Sequence, residues 1–175
     1  MRLIYIITRF LTFPGALTRG FSEQIVCRIH KTVVEDNRYL RRDENCSHIE
    51  HELMKTPGSA FAICFVPMFI QLLLAFLVSI TAIIDLIYLD YFTMPGGIID
   101  LVCLWVGISL ASNCAPSYED ALNMMERLYK TKGHVFQKII FAPGAVISFG
   151  LSVLEKFSVT LLLSVAATVL LYIFI

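Results

Sequence analysis

The longest uncharged runs of this chain are long enough to cross a lipid bilayer, and that limits its fold more than any motif does. Ala60 to Ile84 is 25 residues without a formal charge, and Phe157 to Ile175 is 19 more. A hydrocarbon core about 30 Å thick needs roughly 20 helical residues to span it. A helix also satisfies its own backbone N–H and C=O groups, which lipid cannot do. Composition agrees. The chain is 57% hydrophobic with a mean hydropathy of +0.74, against about 45–50% apolar for soluble domains. The expected fold is an all-α integral membrane bundle forming a single domain over residues 1–175.

Five spans are expected. The first, about 3–27, is interrupted by Arg9, Arg19 and Glu23 and carries Pro14-Gly15 midway. Charges at that depth must snorkel, pair or line a cavity. The others are about 60–89, 98–114, 136–154 (bent near Pro143-Gly144) and 157–175. Residues 28–58 form a polar loop, in which Lys31–Val34 and Cys46–Ile49 suit a small surface hairpin. Over 117–131, Ser117 is a helix N-cap with Asp120 three residues later. Ala121, Leu122, Met125, Leu128 and Tyr129 then recur at helical spacing opposite Glu126, Arg127 and Lys130. This is an amphipathic helix of the membrane interface. Six Lys/Arg lie in the 28–58 loop and four between Pro116 and Lys138. The positive-inside rule therefore puts both segments on the cytoplasmic side or its equivalent, the N-terminus outside and the C-terminus inside.

Formal net charge is zero, so nothing draws the chain to nucleic acid. The five cysteines share no CxxC spacing and read as reduced apolar fillers. The expected partners are the bilayer, as bound lipid, and other membrane protein subunits. No cofactor is expected beyond that lipid.

Three stretches taken together resemble membrane-embedded zinc metalloproteases of the site-2 type. Phe13-Pro14-Gly15 precedes a polar helix segment and Cys27-Arg28. Asn45-Cys46-Ser47-His48-Ile49-Glu50-His51-Glu52 precedes an apolar helix containing Pro67. Trp105 to Ser109 leads into Pro116-Ser117-Tyr118-Glu119-Asp120-Ala121. The resemblance implies a His-Glu-x-x-His metal motif after Phe-Pro-Gly, with Asp120 at the place of a third zinc ligand. Here that motif falls on Arg19-Gly20-Phe21-Ser22-Glu23. A guanidinium does not bind Zn²⁺, and Gly20 has no group to take the proton of a bound water. The resemblance therefore implies a catalytically silent relative, with no catalytic residue and no metal.

Arg19 and Glu23 stand at i and i+4 on one helix face. Two readings stay open. In one, Arg19 takes the old metal position as a fixed cation between Glu23 and Asp120. In the other, the pair marks the watery end of the first helix and Asp120 is only a cap. His48 and His51, with Cys46 nearby, read as part of a solvated loop, with a repurposed metal site as the alternative. Gln71, mid-membrane, reads as an interhelical polar contact made by hydrogen bonding, with an amide that positions a substrate strand, as the resemblance implies, as the alternative. The functional expectation is a non-catalytic structural or interaction subunit of a membrane assembly. The alternatives are a membrane zinc metallopeptidase with non-standard ligands and a small channel or transporter component.

Overall fold

A computed structural model describes residues 2–39, 48–88, 96–130 and 135–175. The described chain is helical apart from one two-stranded ribbon. Its elements are α1 (Arg2–Leu11), α2 (Phe13–Ile29), β1 (Val34–Asp36), β2 (Glu50–His51), α3 (Pro57–Tyr88), α4 (Gly96–Ser112), α5 (Tyr118–Lys130), α6 (Val135–Lys156) and α7 (Val159–Phe174). Among the described residues two stretches are long and apolar enough to cross a membrane, Pro57–Ile87 and Lys138–Lys156. Gly97–Ser112 and Val159–Phe174 are shorter apolar helices.

The first expected span is divided at Thr12. Pro14 sits in the first turn of α2, where its missing N–H is harmless, but it leaves the carbonyl four residues earlier without a partner. The bonds Thr12 N→Thr8 O (2.9 Å) and Ala16 N→Thr12 O (3.2 Å) carry the ladder across the bend. The amphipathic helix expected over 117–131 is α5, and it starts as its residues dictate. Ser117 Oγ accepts from Asp120 N (3.1 Å), as an N-cap does, and donates to Asp120 Oδ2 (2.7 Å). The ribbon is antiparallel, pairing Val34 with His51 and Asp36 with Glu50. It lies a few residues beyond the strands expected at Lys31–Val34 and Cys46–Ile49, and Cys46 itself is outside the described residues.

The helices run in series more than in hairpins. Gly107 of α4 meets Ser79 and Ala75 of α3, and further along α4 Ser109 meets Gly15, which also receives Gln71 of α3. So α4 is antiparallel to α3. α5 continues the same way, with Met124 and Leu128 packed among Val26, Cys27, Ala60, Ile63 and Cys64. α6 turns back against α5, bringing Phe149 to Tyr118. It then ascends α3, with Gly144 at Phe61 and Phe65 and Ser148 at Met68. α7 does not fold back on α6. It begins beside Ser112 at the end of α4 and packs along α4, keeping the direction of α6. Of the five spans expected, the two at 60–89 and 136–154 correspond to stretches long and apolar enough to cross a membrane among the described residues. α5 carries on from α4, and α7 carries on from α6 in the same direction. The physical reason lies at Phe157-Ser158, where one residue with φ 58 bends the chain without the loop that an antiparallel helix pair needs.

Small residues set the closest approaches. A Cβ on Gly107 would lie 2.1 Å from Ser79 Oγ, and one on Gly15 would lie 2.0 Å from the Ser109 carbonyl oxygen. Small residues at these contacts let the helix backbones approach closely. Large apolar side chains such as Phe69, Leu73, Phe76, Ile99, Leu162 and Ile173 point outward.

Candidate functional site

The charged residues of the first span are inside the molecule. Arg19 is 0% exposed, and so is Glu23, so the watery-end reading of this pair fails. Arg19 Nε donates to Glu23 Oε1 (2.7 Å) and Arg19 Nη1 to the Cys114 carbonyl (2.9 Å). Arg9, one bend away, donates to the Ser112 carbonyl (3.0 Å) and to Asn113 Oδ1 (2.6 Å). It also pairs with Glu155 and lies over the Tyr5 ring. Both guanidiniums thus meet carbonyls at the C-terminal end of α4, where the helix dipole favours cations.

His48 joins the two ion pairs. Its Nδ1 is 2.8 Å from Glu23 Oε1, and its Nε2 is 3.3 Å from Glu155 Oε1. The other oxygen of Glu23 accepts the Ile49 N–H (3.1 Å). The expectation of a solvated loop is overturned here, since His48 is only 4% exposed. Two buried carboxylates draw it in, because each needs donors in place of water. With a carboxylate on each ring nitrogen, the imidazole suits its doubly protonated form. Burial works against that charge, but Glu23 and Glu155 outweigh it and push the pKa up to about 9. The cluster then holds three cations (Arg9, Arg19, His48) and two carboxylates.

Asp120 is placed differently from the expected triad. It makes no ion pair or hydrogen bond with Arg19 among the described residues. It faces His51 Nε2 at 3.4 Å and takes the Ser117 hydroxyl. His51 Nδ1 meets the Glu52 carbonyl (2.9 Å). Burial again opposes the charge, but Asp120 prevails and the His51 pKa is pushed up to about 9. The second carboxylate of the Arg19 network is Glu155, reached through His48. Gln71 Nε2 donates to the Gly15 carbonyl (2.8 Å), tying α3 to α2.

The donor set does not fit the zinc that the resemblance implies. Glu23 already receives Arg19, His48 and Ile49. Both nitrogens of His48 are committed to carboxylates, and Arg19 fills the place of the first imidazole. No group of three His, Cys, Asp or Glu among the described residues is arranged to hold a metal. The general-base position is closed as well. A Cβ on Gly20 would lie 2.3 Å from Cδ1 of Tyr39, whose hydroxyl donates to Gln24 Oε1 (2.8 Å). Cys27, Cys64 and Cys114 are buried free thiols, as fillers would be.

Glu155, Asn113 and Tyr39 were not singled out from the sequence, and Arg9 was noted only as a charge interrupting the first span. For Arg9 and Glu155 a signal existed: lone charges of opposite sign within or at the end of apolar segments, which must find each other. Nothing in the sequence marks Tyr39 as the neighbour of Gly20. No protein-family model, curated protein or solved structure matches the chain.

Proposed function

We propose that this chain is a non-catalytic, multi-pass integral membrane protein on a site-2-protease-like scaffold, acting as a structural or interaction subunit of a membrane protein assembly. One observation carries the reading: where the resemblance asks for a metal-binding imidazole, a fully buried guanidinium is bonded to Glu23 and to the end of α4. An ion-pair network does the work of joining helices that a metal would otherwise do. The outward apolar faces of α3, α4 and α7 then meet lipid and a partner. The basic 28–58 loop and α5 lie at the cytoplasmic end. α7 keeps the direction of α3, which supports a C-terminus at the end of the bundle away from this loop, in place of the cytoplasmic-side C-terminus that five alternating spans imply.

The test is purification in mild detergent, with co-purifying chains identified and zinc measured on the same sample. The expected result is a second membrane protein at fixed ratio, with zinc far below one per chain. Stoichiometric zinc that disappears when His48 and His51 are both changed to Ala would revive the hydrolase reading. Recovery of the chain alone from gently solubilised native membranes would end the subunit reading.

A further inference from the structure

α2 is inside out by the standards of a helix in water. Its polar residues Arg19, Ser22 and Glu23 are buried, while Phe13, Leu17, Phe21 and Ile25 are exposed. The exposed four recur every four residues and form one stripe along the helix. Arg28 stands three residues after Ile25 and seven after Phe21, which puts it on the same stripe, and it too is exposed. From Phe13 to Arg28 the stripe is about 22 Å long, longer than one leaflet of a hydrocarbon core about 30 Å thick. An apolar stripe of this kind calls for apolar surroundings, and the cation at its end calls for a polar headgroup or water.

The end of α2 fixes a second cation. Lys31 N donates to the Arg28 carbonyl (3.2 Å) and Thr32 N to the Cys27 carbonyl (2.9 Å), the two bonds of a Schellman turn. Lys31 fills the left-handed position of that turn, with φ 56, where glycine is the usual residue. A lysine there costs backbone strain that glycine would spare, and it is exposed. Arg38, Lys55 and Lys130 at the same end of the molecule have carboxylate partners in Asp36, Glu52 and Glu126. Arg28 and Lys31 have none among the described residues.

We propose that the outer face of α2 is a binding site for one phospholipid of net negative charge from the cytoplasmic leaflet. Its acyl chain lies along Ile25, Phe21 and Leu17, and its headgroup phosphate accepts from Arg28 and Lys31. A zwitterionic lipid covers the same stripe but brings its own cation towards the two side chains. A second protein helix would cover the stripe and leave both cations unanswered. The inference rests on the reading of the chain as a membrane protein and holds with or without a partner subunit.

The test uses the full chain in phosphatidylcholine vesicles. Trp105, the single tryptophan, is changed by Trp105→Phe, and Phe21→Trp places a fluorescent reporter on the stripe. That reporter lies about 10 Å along the helix from Arg28, level with the middle of an acyl chain whose phosphate is at Arg28. Phosphatidylglycerol or phosphatidylcholine brominated at mid-chain is then introduced at equal fractions, and quenching is compared. The acidic lipid should quench with an apparent affinity about fivefold higher or more, since one cation at a membrane surface gives about that factor. Arg28→Gln with Lys31→Gln should bring the two lipids level. Quenching by brominated phosphatidylcholine should stay intact in that variant, as it does for a folded chain in the bilayer. Lys55→Gln with Lys130→Gln should leave the preference unchanged. Equal quenching by the two lipids before either cation is changed would overturn this site alone. So would a preference that survives loss of Arg28 and Lys31, or one lost equally with Lys55 and Lys130. A reporter that neither lipid quenches would put the stripe outside lipid and overturn the membrane reading with it.

Discussion

The two ends of the molecule hold together by different means. Around α2, β2 and the start of α5, the interior contains Arg19, Glu23, His48 and Asp120. Around the second half of α3, α4 and α7, it contains Gly107, Ser79, Ala75 and Ser164. At the apolar end, contact is won by the absence of side chains, and many weak packing contacts share the load. At the charged end, a few strong contacts carry it. A bonded ion pair cut on one side leaves an uncompensated charge with no water to take it. The charged end should therefore fail abruptly on single substitutions, and the apolar end gradually.

Arg19→Ala should have the largest effect. Removing one partner of a buried pair costs about 3–5 kcal/mol, because Glu23 would keep its burial and lose its nearest cation. Arg38→Ala is the control. Its side chain is 73% exposed and pairs with Asp36, and exposed pairs contribute about 0–1 kcal/mol. Chemical unfolding in detergent measures both. Equal midpoints would erase the contrast between the two ends.

Gly15→Ala tests the seam between them. The new methyl would meet the Ser109 carbonyl at 2.0 Å and Asn113 Nδ2 at 2.7 Å. The obstacle is partly backbone, so α2 and α4 must separate. Overpacking of this kind costs about 1–3 kcal/mol. Gly150→Ala, with nothing within 4 Å of the added atom, should be close to neutral or slightly stabilising.

The pH dependence concerns the charged end alone. His48 and His51 both have folded pKa values raised from 6.5 to about 9. Folding therefore binds protons at these sites. Their contribution is fully present below about pH 6.5 and is lost as pH rises through about 9. The unfolding midpoint should fall over that window, and His48→Gln should lower it at pH 6 and flatten the fall. A midpoint that climbs between pH 6.5 and 9, or an unchanged slope in His48→Gln, would show that the imidazole is not the charged link between Glu23 and Glu155.

The two ends also differ in how far they can be read from sequence. Helix positions in both are visible, because uncharged length and the Ser117–Asp120 cap are local signals. The Arg19–Glu23 pair is visible too, since i and i+4 share a face. The path through His48 to Glu155 is not, because it joins residues 107 apart and no local pattern records that distance. Asp120 looked free to join Arg19, but the local cap and His51 claim it first. The direction of α7 is hidden for a similar reason. Hydrophobic length marks a span, whereas whether the next helix reverses depends on the bend at Ser158. That residue's left-handed backbone is a property of the packed structure.

Setting the two controls aside, Gln71→Leu has the smallest expected effect and sharpens the comparison most. The amide lies between the two ends and donates to the Gly15 carbonyl at 2.8 Å. That carbonyl lies inside α2 and keeps its helical donor, so losing Gln71 strands no charge and leaves no acceptor empty. Interhelical hydrogen bonds of this kind contribute about 0.6–1 kcal/mol in membrane proteins, and leucine replaces most of the buried volume. The unfolding midpoint should fall by about 2–4 °C. A loss matching that of Arg19→Ala would mean that neutral polar contacts carry the charged end's share, and the ion network would no longer be what sets that end apart.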